Sequence, residues 1–100
     1  MENSDRVRVM VVDDHTVVRS GLRYSLLAFD DIELVAEAAN GRDALRLCAE
    51  VQPDVILMDM MMPGMDGVAS IKAILAEHPQ VRIIALTSFQ EGGLVQDALK

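Results

Sequence analysis

The sequence predicts an α/β fold, an open parallel sheet doubly wound by helices on both faces, and three observations predict it. Apolar runs of strand length alternate four times with stretches of helical period. Three of those runs are continuously apolar, as parallel strands covered on both faces are. With 51% hydrophobic residues in 100, the chain carries enough apolar material for one core and one domain.

The elements follow in order. Residues 8–12 form the first strand, and the first helix shows its buried stripe in Val18, Leu22, Leu26 and Phe29, three or four residues apart. Residues 32–38 alternate, with Ile32, Leu34, Ala36 and Ala38 on one face and Glu33 and Glu37 on the other, which reads as an edge strand. Asn40-Gly41 opens a second helix striped by Leu45, Cys48 and Val51, and Pro53 separates it from the third strand, residues 55–58. Pro63-Gly64 marks a turn and Asp66 a cap for a third helix striped by Val68, Ile71, Leu75 and His78, which Pro79 closes. The fourth strand, residues 82–86, is expected to be central with the first and third. A fourth helix starts near Glu91. Right-handed crossovers place the helices on both sides of the sheet.

Composition excludes several function classes. A single cysteine allows no internal disulfide and suits a reducing compartment. The longest apolar runs are four residues, against the ~20 of a membrane helix, and the polar, acidic start shows no secretory signal, so a cytoplasmic location is expected. A net charge of −7 argues against direct nucleic acid binding by this segment and toward proteins or cations as partners.

Ligands of open parallel sheets bind at the carboxyl ends of the strands. Asp13 and Asp14 follow the first strand, Asp59 the third, and Thr87 and Ser88 the fourth, so three carboxylates and a hydroxyl converge on one rim. Helix capping accounts for one of the adjacent acids but not for the trio. Clustered carboxylates raise one another's pKa unless a cation neutralises them, and the trio suits Mg²⁺ better than Zn²⁺, because His15 and His78 lie on separate elements and Cys48 sits within a helix. Met60, Met61 and Met62 read as packing residues rather than a thioether cluster. Thr87, taken alone, reads as an ordinary β-branched strand end.

Together, Val11-Val12-Asp13-Asp14, Asp59 after Val55-Ile56-Leu57-Met58, the stretch Met62-Pro63-Gly64-Met65-Asp66-Gly67, and Leu86-Thr87-Ser88 resemble the receiver domain of two-component response regulators, in order and over nearly the whole chain. His15, Val18-Arg19 and Gly21-Leu22 further resemble the LuxR/NarL class, in which a DNA-binding effector domain follows the receiver. The resemblance implies a flavodoxin-like fold with strand order 2-1-3-4, and a phosphoacceptor role for Asp59, supplied by a histidine kinase or a small phosphodonor. It implies Mg²⁺ held directly by Asp14, Asp59 and the Met61 backbone carbonyl, with Asp13 acting through water. Thr87 would read the phosphoryl group, and Ser88 would leave its approach open. The lysine and switch aromatic of the family's fifth strand have no counterpart, since the lysines are Lys72 and Lys100 and the aromatics Tyr24, Phe29 and Phe89. A receiver lacking its fifth strand and helix is therefore expected, with an uncovered fourth strand through which copies self-associate. Two other readings are an interaction domain of receiver shape that is not phosphorylated, and an aspartyl-phosphate phosphatase. The phosphatase reading lacks the acid two residues after its nucleophile, where Met61 stands.

Overall fold

The computed structural model describes residues 6–61 and 67–86. Within them the elements run β1 (Val7–Val12), α1 (Thr16–Leu27), β2 (Ile32–Ala38), α2 (Gly41–Val51), β3 (Val55–Asp59), α3 (Gly67–Glu77) and β4 (Arg82–Leu86). All strands are parallel, in the order β2-β1-β3-β4. That is the doubly wound topology the sequence implies. The expected fourth helix lies outside the described residues.

One face of the sheet carries the core. Met10, Val12, Ala38, Ile56 and Met58 pack there against Ala44 and Cys48 of α2 and Ile74 of α3. Asn40 starts α2 as expected, its side-chain oxygen accepting the Asp43 N–H at 2.8 Å, and so satisfies one of the donors a helix N-terminus leaves free. At the other end, Gln52 takes the left-handed conformation, φ 50°, and returns its N–H to Cys48 O. Burial pushes the Cys48 thiol up from its ordinary pKa.

Three expectations are corrected. Strand β2 is an edge strand, but its faces do not alternate throughout. Val9 pairs with Leu34 and Met10 with Ala36, so Val35 is a bulge residue without a partner in the register. Paired residues of parallel strands share a face, so Ile32 and Leu34 lie with Val7 and Val9 on the α1 side, while Ala36 and Ala38 lie with Met10 and Val12 on the core side. Glu37 consequently faces α1.

The α3 stripe is displaced. Gly67 and Ile74 are buried and Ile71 is half-buried, whereas Val68 and Leu75 are exposed. A Cβ on Gly67 would sit 2.5 Å from Met60 Cε, so the face that meets the sheet is centred where one residue has no side chain at all. In α1, Val18, Leu22 and Leu26 are only half-buried and Phe29, beyond the helix end, is exposed. As the order 2-1-3-4 implies, β4 pairs with β3 alone among the described residues, and its Ile84 is 51% exposed.

Candidate functional site

Strand register builds the site. Val12 pairs with Met58, so the next residue on each strand, Asp13 and Asp59, emerges side by side at the carboxyl rim. Both are buried, at 4% and 3% exposure, where a lone carboxylate is costly. Asp59 ends β3 in register with Leu86, and its Oδ1 accepts the Met61 N–H at 2.9 Å. Its pKa is raised, first by burial and then by Asp13 and Asp14, against the lowering effect of the Met61 N–H and His15.

Asp13 is the most tightly held member. Its N–H donates to Ala38 O at 3.0 Å, its carbonyl accepts from Arg19 Nη1 at 2.6 Å, and its Oδ1 accepts the His15 N–H at 2.8 Å. The capping explanation for the acidic pair therefore takes a particular form: the N-cap of α1 is His15, whose own side chain makes no capping bond, and Asp13 holds the N–H of that residue. Asp14 is more open and faces His15 Nδ1 at 3.0 Å.

Ligand atoms of Asp13, Asp14, His15 and Asp59 all lie within 4.8 Å of one another. His15 is the member that the sequence reading left out. Its Nδ1 stands 3.1 Å from Asp13 Oδ1 and 3.9 Å from Asp59 Oδ2, and its pKa is raised by the Asp13 hydrogen bond and by the charge of Asp14. The signal was its position directly after the acidic pair, not its distance from another histidine or cysteine. Three carboxylates around one point form a hard oxygen donor set, which fits Mg²⁺ in charge and donor type.

Residues 9–100 match the family described as the response regulator receiver domain. The chain belongs to the receiver family. It is 46% identical over 94 residues to the "Uncharacterized transcriptional regulatory protein YhcZ" of Bacillus subtilis (strain 168), covering 94% of this chain and 44% of that protein. It is 49% identical over 83 residues to the transcriptional regulatory protein LiaR of the same organism, covering 83% of this chain and 39% of that protein. A crystal structure of a LuxR-family two-component response regulator from Aurantimonas sp. SI85-9A1 superposes with a TM-score of 0.77 at 36% identity, covering 82% of this chain and 59% of that one. The chain thus spans less than half the length of the two curated relatives.

The receiver brings Asp13, Asp14 and Asp59 together as the sequence predicts. Met61 is exposed and contributes its N–H to Asp59, while Met60 packs on the core and on Gly67, the buried first residue of α3. Thr87, Ser88, Pro63, Gly64 and Asp66 lie outside the described residues. Receivers are regulatory domains rather than conventional enzymes. Among the described residues no helix is long and apolar enough to cross a membrane.

Proposed function

We propose that this receiver is a Mg²⁺-dependent phosphoacceptor in which Asp59 takes a phosphoryl group from a histidine kinase or a small phosphodonor. One observation carries the reading: a buried strand-end carboxylate, oriented through Oδ1 by the Met61 N–H, faces two further carboxylates across 4.8 Å or less. Asp14 and Asp59 are the direct ligands, with the Met61 carbonyl. Asp13, with Oδ1 already committed to His15, acts through water. A cation bound there offsets the charge that gathers on the transferring oxygens.

The protein's own part is positioning. The Met61 N–H fixes the Asp59 carboxylate so that an oxygen can form the new bond to phosphorus as the bond from phosphorus to the donor nitrogen breaks. Thr87 then reads the phosphoryl group, Ser88 leaves room for its approach, and the output passes to a DNA-binding effector domain in a cytoplasmic regulator. The test is intact mass after incubation with phosphoramidate and Mg²⁺. A single phosphoryl adduct, absent from Asp59→Asn and from samples held in EDTA, is the expected result; equal labelling of the variant removes Asp59 from the role.

A further inference from the structure

Arg19 is an odd residue for the place it occupies. It lies in the first turn of α1, where the helix dipole favours anions and where no acidic residue stands. Its guanidinium turns back past the helix N-terminus and donates from Nη1 to the Asp13 carbonyl at 2.6 Å. The side chain is 21% exposed, and its Nε lies 3.5 Å from Oε1 of Glu37. Glu37 reaches that position because the Val35 bulge turns it toward α1, and Arg23 holds its other oxygen at 3.0 Å. Ala38, the next residue, accepts the Asp13 N–H.

We infer that Arg19 is a positioning residue for the acidic rim, locking the Asp13 backbone from the carbonyl side while Ala38 locks it from the N–H side. A charged donor on a carbonyl is stronger than a neutral one, and a planar guanidinium held at a second point by a carboxylate cannot swing away. With both backbone groups of Asp13 fixed, its carboxylate keeps its bond to the His15 N–H, and Asp14 is presented at a set angle toward Asp59. Glu37 acts through Arg19, and Arg23 acts through Glu37. The inference rests on the proposed metal site only where cation affinity is the readout; the rigidity of the rim is a property of the metal-free protein.

The experiment is amide hydrogen exchange by NMR on the metal-free protein in EDTA, with Mn²⁺ affinity by electron paramagnetic resonance in parallel. In Arg19→Met the amides of Asp13 and His15 are expected to exchange about tenfold faster than in wild type, the effect of losing one charge-assisted hydrogen bond, while the Gln52 amide on the opposite sheet face is unchanged. Arg19→Lys should restore part of the protection, and Glu37→Gln should show a smaller loss at the same two amides. Mn²⁺ affinity should fall in the same order. Unchanged exchange at Asp13 and His15 in Arg19→Met overturns the inference. So does a uniform increase at every amide, which would make Arg19 a general stabilising residue. Local loss of protection in a protein whose wild type takes up no Mn²⁺ leaves Arg19 in its role and overturns the metal reading instead.

Discussion

The two faces of the sheet are held by different physics. On the side of α2 and α3, residues from two strands and two helices exclude water completely: Met10, Val12, Ala44, Cys48, Ile56, Met58 and Ile74 are all at 0% exposure. On the side of α1, Val9 and Val11 are buried under a helix that has no buried residue of its own, and Arg19 and Arg23 tie that helix to Glu37 of β2. Apolar packing is strong and does not depend on direction, whereas ion pairs and hydrogen bonds are individually weak but geometrically specific. The rim takes one thing from each. Burial of β1 and β3 fixes where the strand ends lie, and the polar face fixes how the Asp13–Asp14 turn is oriented above them.

If that division holds, truncating one side chain on each face should give very different losses. Ile56→Ala opens space in the water-free layer and is expected to cost about 2–5 kcal/mol. Leu22→Ala, on the half-buried stripe of α1, should cost about 1 kcal/mol, since much of that side chain already meets water. Urea unfolding followed by circular dichroism measures both. Equal losses would mean that α1 is packed as firmly as α2 and that the contrast between the faces is not real.

A second effect separates the rim from both faces. The raised pKa of Asp59 means that the native state binds its proton more tightly than the unfolded chain does. Stability from this group is therefore greatest in acid, below the unfolded value of 3.8, and is lost as pH rises through the higher folded value. At neutral pH the ionised Asp59 destabilises the metal-free protein. Asp59→Asn keeps an oxygen for the Met61 N–H and removes the charge, so it should melt at a higher temperature than wild type at pH 7 in EDTA. That advantage should shrink on acidification and vanish below the unfolded pKa. A variant that melts lower than wild type at pH 7 would show that the carboxylate is already neutralised by its surroundings.

Much of this contrast was legible in the sequence, and the part that was not has physical reasons. Continuous apolar runs located β1, β3 and β4, and the residues following them supplied the acidic rim, because strand ends and ligand sites coincide in parallel sheets. The Val35 bulge was invisible, since an apolar residue reads the same whether or not it has a partner, and the slip it causes is what turns Glu37 toward α1. The α3 face was misplaced because Gly67 contributes closeness rather than hydrophobicity. Arg19 escaped for a third reason. Its partner on the rim is a backbone carbonyl, and backbone groups carry no sequence label.

The smallest expected effect sharpens the comparison most, because it divides the polar face itself. Arg23 and Arg19 both meet Glu37, but Arg23 is 43% exposed and touches no part of the rim among its described partners, whereas Arg19 also holds Asp13. A partly exposed pair of this kind contributes about 0–1 kcal/mol and is screened by salt. Arg23→Met should therefore lower stability by no more than that at low ionic strength, and the difference from wild type should disappear in about 0.5 M NaCl, where the Debye length is about half its physiological value. The Asp13 carbonyl contact is shorter and better shielded, so the local loosening caused by Arg19→Met should survive the same salt. Thermal melts of both variants with and without NaCl, beside exchange at Asp13 and His15, make the distinction. If salt removed the Arg19 effect as well, the guanidinium would be acting through its charge on Glu37 alone, and the orientation of the acidic turn would have to come from the strand ends.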